Sequence, residues 1–243
     1  MRGARGVASN FWNNMKDTPF VRKRPYIKPS MWEKLIPLGL DGDGGQFSDH
    51  DGLFVFSMNS LLCRTTTRSS RMVLTIVKKS LIIPATLDAI AKVLCWSFNV
   101  LMTGIEASCD WEHRNNIHYQ GQFLASGYRA VLTQIRGDWE FFASVFGTPK
   151  WNEIGRMCWL CGAVGDDTSP LKCTDCSEEA PWRDTRVTHE AYMASATSIP
   201  IWFLLIVGFR VECIMVDLLH SLDLGFGSHI VGNIFWDCVM LKA

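Results

Sequence analysis

An α/β domain is what this sequence predicts: a mixed sheet with helices, interrupted by a small cysteine-rich insertion. Three observations carry the prediction. Leu53–Asn59, Arg71–Val77 and Tyr128–Ile135 are rich in strand formers or alternate apolar with polar residues. From Pro84 to about Thr103 the period changes: Leu87, Ile90, Ala91, Leu94, Phe98 and Leu101 follow i, i+3, i+4 steps, the mark of a largely buried helix. Four of the nine cysteines crowd into residues 158–176.

The chain has 243 residues, enough to bury a sizeable core. It is 48% hydrophobic and 20% charged, with 24 basic against 24 acidic residues. These values exclude a disordered tail, a collagen-like fibre and a strongly basic histone-like binder. The zero balance hides blocks. Residues 1–40 carry a net +6, residues 64–80 hold five basic residues and no acid, and residues 158–190 carry a net −4.

In chain order, residues 1–33 read as an extended basic arm, because Pro19, Pro25 and Pro29 interrupt any long helix. Residues 34–150 read as the first part of the core. Lys34–Leu40 is a short strand that ends in an acidic glycine turn, Asp41-Gly-Asp43-Gly-Gly45. Leu53–Asn59 and Arg71–Val77 follow and are able to pair as a hairpin. Between and after them, Arg64, Arg68, Arg71, Lys78 and Lys79 form a basic track, read either as a solvated face or as a nucleic-acid contact. The long helix comes next, then a polar, aromatic-rich connection with Trp111, His113 and His118. The strand at Tyr128–Ile135 ends in Arg136-Gly-Asp138, and a short amphipathic helix runs from Trp139 to about Phe146.

Residues 151–195 hold the cysteine insertion. Cys158-x-x-Cys161 and Cys173-x-x-Cys176 are separated by eleven residues that include Gly162 and Gly165. Such knuckles present four thiolates to one Zn²⁺ in a closed, structural tetrahedral site. The competing reading is a cluster of reduced or redox-active thiols. The other five cysteines sit among apolar neighbours and read as small buried hydrophobes. Residues 1–30 contain no apolar signal region, so a reducing, nuclear or cytoplasmic setting is expected.

Residues 196–243 read as a helical segment. The apolar run Ile199–Phe209 is shorter than the roughly 20 residues a membrane span needs, and reads as a buried strand or core segment. A second helical pattern runs from Val211 to about Val231 and carries Asp217-x-x-His220. On a helix those two share a face. They either support a metal or DNA site, or form an internal pair that steadies the helix.

The carboxylates after strands suggest chemistry. Asp43 and Asp138, with Asp41 as the alternative first acid, stand where two strands end. The order strand–Asp, hairpin, helix, strand–Asp brings such residues side by side in a ribonuclease-H-like sheet. Paired carboxylates there hold Mg²⁺ for attack on a phosphodiester. An Asp after a strand also serves as an ordinary helix N-cap.

Taken in order, Asp41-Gly-Asp43-Gly-Gly-Gln-Phe47, Gly137-Asp138, Cys158-x-x-Cys161, Asp217-Leu-Leu-His220, Leu224-Gly225 and Gly232-Asn233 resemble cut-and-paste DDE transposases, most closely the CACTA and Plavaka-like group. The resemblance covers about residues 35–240. It implies a ribonuclease-H-like core with an insertion, Mg²⁺ on Asp43 and Asp138, and Mg²⁺-dependent cleavage and joining of DNA. Asp217 and His220 would support the site. DNA is then the expected partner, with copies of the same chain a further one. Neither a membrane nor a small-molecule substrate is expected. The chain departs from the pattern: the first acid is doubled, Cys173 and Cys176 exceed what the family needs, and no Glu follows His220 where the family has its last catalytic carboxylate. An incomplete, inactive copy is therefore the expectation. The alternative is a non-catalytic, zinc-stabilised module that binds nucleic acid or protein.

Overall fold

The computed structural model describes residues 5–116, 118–150, 152–195 and 201–216. It is a mixed α/β fold around one five-stranded sheet. The elements are α1 (Arg5–Met15), α2 (Pro19–Arg22), β1 (Leu35–Ser48), β2 (Asp51–Ser60), α3 (Thr67–Ser70), β3 (Met72–Lys78), α4 (Pro84–Thr103), β4 (Arg129–Gly137), α5 (Trp139–Phe146), α6 (His189–Ser195), α7 (Ile201–Leu204) and β5 (Ile214–Val216).

The strand order is β3-β2-β1-β4-β5. β2 runs antiparallel to both β1 and β3, and β4 runs parallel to β1 and β5. The parallel step from β3 to β4 needs a long crossover, and α4 supplies it. Pro84 starts α4 where its missing N–H costs nothing, and Gly104 ends it at φ 69°, a left-handed turn that glycine adopts without strain.

Alternation along the strands sorts the core into two layers. Leu38, Leu40, Phe54, Phe56 and Leu132 join Leu94 and Phe98 of α4, the phenylalanines of α5, and Phe203 and Ile206 in the main cluster. Leu35 and Val131, of opposite parity, join Trp12, Val21 and Ile27 in a second cluster, so the N-terminal helices cover the other face at that end of the sheet. α4 is also long and apolar enough to cross a membrane, by length and composition.

Several expectations change. The N-terminal arm is helical and packed rather than extended. Trp12 is fully buried, and its indole N–H donates to the Leu35 carbonyl at 2.7 Å. Arg24 is buried as well. Its Nε and Nη2 both donate to the Gly208 carbonyl, at 3.1 and 2.7 Å, and Nη1 donates to the Phe20 carbonyl at 2.8 Å. These bonds tie α2 to the turn before β5. Basic charge at this point serves the fold rather than a polyanion.

The acidic glycine stretch expected as a turn is strand. β1 continues through Asp41–Gly45 because β2 pairs with it residue for residue, and the chain reverses only after Ser48. Over the described part of the apolar run, Ile201–Leu204 forms the single helical turn α7 and Phe203, Ile206 and Phe209 are buried, so this part is core without strand. The helix expected from Val211 is absent at its start: a 3₁₀ turn leads straight into β5, whose β-branched residues pair with β4. Asp217 and His220 lie outside the described residues.

Candidate carboxylate site at the end of the β1–β4 pair

The parallel register sets Asp41 opposite Arg136 and Gly42 opposite Gly137. Asp43 and Asp138 are the next residue on each chain: Asp43 continues in β1, opposite Val55 of β2, and Asp138 lies just past β4 as the N-cap of α5. The two glycines are needed there. A Cβ at Gly42 would lie 1.8 Å from the Phe141 ring, and one at Gly137 would lie 2.4 Å from it. Their absent side chains let Phe141 seat against the strand ends. That seating lies on the sheet face opposite to Asp41 and Asp43, because side chains alternate along β1.

The three candidate acids have different environments. Asp41 is buried, with a side chain 4% exposed, and its carboxylate is held from both sides, by Arg136 Nη2 at 2.9 Å and Arg71 Nη2 at 3.1 Å. Arg136 Nη2 also donates to Asn59 Oδ1. Both Asp41 oxygens are therefore committed to guanidinium groups. Asp43 lies two residues on, on the same side of β1 by strand periodicity. It is exposed, and its carboxylate forms no hydrogen bond or ion pair among the described residues. Of the doubled first acid, Asp43 is the one left for a ligand.

Asp138 is the N-cap of α5. Its Oδ1 accepts the Phe141 backbone N–H at 2.6 Å. The cap satisfies one orphan helix donor and fixes the side chain at the helix entrance. Sequence reading passed over Glu140, in the first turn of α5. Its carboxylate pairs with Lys79 Nζ at 2.7 Å and approaches within 3.8 Å of the Cβ position of Gly44. The signal was there in Asp138-Trp-Glu140, since acidic residues favour the first turn of a helix.

The basic track is largely spent on carboxylates. Arg71 pairs with Asp41, Lys78 with Asp51 at 3.0 Å, and Lys79 with Glu140. Asp51 is pushed down to about 2, chiefly by the Ser80 hydroxyl, with Lys78 adding to the effect. Arg64 is exposed, and the side chain of Arg68 is outside the described residues. These ion pairs occupy Arg71, Lys78 and Lys79.

In the insertion, the first knuckle closes on itself. The Leu160 N–H donates to Cys158 Sγ at 3.3 Å, a bond that favours thiolate, and Cys161 lies beside the same thiol. Burial, and then Cys161, push the Cys158 thiol up. The chain reverses so that the Cys173 N–H donates to the Val164 carbonyl at 2.8 Å, which carries the second pair back toward the first. Cys173 is half-buried and Cys176 exposed. Among the described residues, no three or more His, Cys, Asp or Glu side chains are gathered as a metal-holding group. The fit to zinc is therefore local, at Cys158 and Cys161, and does not extend to four converging thiols.

No family model matches the chain, and neither a curated protein nor a solved structure matches it.

Proposed function

We propose that this is a transposase-derived protein with a ribonuclease-H-like sheet, whose Asp43 and Asp138 carboxylates bind Mg²⁺ beside a DNA phosphodiester. The single observation behind the proposal is the register of β1 with β4, whose last pair, Gly42 with Gly137, immediately precedes Asp43 and Asp138 in the chain. The strand order, with only β2 reversed and α4 as crossover, supports the same reading. The exposed Asp43 carboxylate suits a hard, partly hydrated cation. When bound, Mg²⁺ supplies Lewis-acid stabilisation of a phosphodiester and activation of water or a 3′-hydroxyl. The chain's own part is positional: Phe141 in its glycine seat holds the helix entrance, and the cap bond orients Asp138.

The test is Mn²⁺ or Mg²⁺ titration by calorimetry. Asp43→Ala and Asp138→Asn should each weaken binding by about tenfold or more, a loss of about 1.4 kcal/mol. Binding indifferent to both replacements would sink the reading. Zinc belongs to the proposal as a structural ion only at Cys158 and Cys161, the pair that the first knuckle brings together. Metal analysis of purified protein checks it, with stoichiometric zinc lost in Cys158→Ser as the expected result.

A second reading draws on the cap bond of Asp138. If Asp138 serves only as a helix cap, the protein is a zinc-stabilised binding module without chemistry. DNA binding independent of Mg²⁺, with salt dependence set by the number of phosphates contacted, would favour it.

A further inference from the structure

A second concave site lies between α4, α7 and the 105–113 connection. It encloses about 570 Å³. Its walls include Trp96, Trp111 and Trp202, and Lys92, Glu106 and His113 stand among them. That volume falls within the range of small-ligand sites, about 300–1,000 Å³.

The walls are held in place before any ligand arrives. The Trp96 indole N–H donates to the Cys109 carbonyl at 3.0 Å, and Trp96 and Trp111 meet edge to face with centroids 5.8 Å apart. Asp110 Oδ1 accepts the backbone N–H groups of Glu112 and Arg114, at 2.9 and 3.0 Å, which stiffens the loop. Asn99 bonds both Leu205 and Val207, fixing the segment after Trp202 against α4. His113 has φ 64°, a left-handed conformation uncommon outside glycine and concentrated at ligand-gripping sites. The Lys92 ammonium stands 5.6 Å from the Trp202 ring centroid and has no carboxylate within ion-pair distance among the described residues.

Indole walls beside an ammonium that forms no ion pair among the described residues match one ligand chemistry well. A flat heteroaromatic ring stacks on the indoles, and an anionic group attached to it reaches Lys92. Resting on the DNA reading above, we infer that this pocket receives one unstacked nucleobase of single-stranded DNA, with its phosphate on Lys92. Base–aromatic stacking contributes about 1–3 kcal/mol per base and tolerates any base identity, so the site grips a strand without reading its sequence.

The test uses the full chain and the fluorescence anisotropy of a labelled oligothymidylate, with an abasic oligonucleotide of equal phosphate count as control. Trp111→Ala and Trp202→Ala should each weaken oligothymidylate binding by about 5- to 150-fold, and Trp111→Phe, which keeps a stacking face, should restore most of it. Lys92→Gln should lower the slope of log affinity against log salt by about one. The abasic strand should bind like the Trp→Ala variants. Equal binding of the two strands, or affinity indifferent to both Trp→Ala changes, overturns the inference. Displacement of the oligothymidylate by a fatty acid but not by thymidine monophosphate would instead assign the pocket to an anionic lipid and also overturn it. Mn²⁺ titration of the same samples separates the two claims. Metal binding retained without base binding leaves the carboxylate site standing and removes the pocket. Base binding retained without metal binding does the reverse.

Discussion

Asp41 and Arg136 face each other across the parallel β1–β4 pair, with Arg136 Nη2 donating to Asp41 Oδ2 at 2.9 Å. This contact decides which of two neighbouring acids is free. It commits Asp41 to the sheet, with Arg71 closing the other side, and leaves Asp43 uncommitted. Asp41→Asn should therefore destabilise the protein by about 2–3 kcal/mol. That is less than the roughly 3–5 of a fully buried pair, because both guanidiniums are about a third exposed or less and water relieves part of the loss. A urea midpoint shift checks this. Metal affinity, measured on the folded variant, should not change.

The glycine seat of Phe141 predicts a steric coupling. Gly42→Ala places a methyl inside the ring position and should cost about 1–3 kcal/mol or more. Paired with Phe141→Leu, the same change should cost less than the two single changes added together. Thermal melts of the four proteins give the coupling energy. Strict additivity would show that the ring does not depend on the gap.

Asp138 separates stability from ligation. Asn caps a helix about as well as Asp, so Asp138→Asn should leave the melting temperature nearly unchanged, whereas Asp138→Ala should cost about 1 kcal/mol. Both should lose Mn²⁺ affinity if the carboxylate is a ligand. A variant with intact affinity in the Asn form would assign Asp138 to capping alone.

Arg24 should act as a clasp. Arg24→Met removes donors to the Phe20 and Gly208 carbonyls and to the Cys213 thiol, leaving buried acceptors unpaired. The expected loss is about 2–4 kcal/mol. Limited proteolysis should then cut within residues 5–31 first, because those helices lose their tie to the turn before β5.

His189 predicts acid sensitivity. Its Nδ1 accepts the Val211 N–H at 3.3 Å, which requires the neutral ring, and burial followed by Arg210 lowers its pKa. The folded state thus resists protonation more than the unfolded chain does. The stabilisation is complete above about pH 6.5, the ordinary histidine value, and is lost as pH falls through the lowered folded pKa. His189→Gln should flatten that part of the stability–pH curve, measured by urea unfolding across the range.

The sequence was legible where local periodicity and burial agree. α4, α5 and the β2–β3 pair stand close to where alternation and helical spacing put them, because each buries one consistent face. It was misread where a partner overrode local preference. Asp41–Gly45 carries turn residues, yet β2 supplies a complete ladder and draws them into β1. The N-terminal prolines suggest an extended arm, but the chain around them buries Trp12, Val21 and Ile27 in a core whose other half comes from β1 and β4. The start of β5 copied a helical pattern until its pairing with β4 made it strand.

Residue types and their order alone determined an α/β chain with a long crossover helix, an Asp that follows β4 and paired cysteines after α5. Which acid is available was settled only in three dimensions. Asp41 and Asp43 are equivalent in composition and nearly so in position. They differ because Arg71 and Arg136, distant in sequence, converge on one carboxylate and not the other. Charge–charge attraction at about 3 Å depends on where strands are paired, and no local pattern in the chain encodes that pairing.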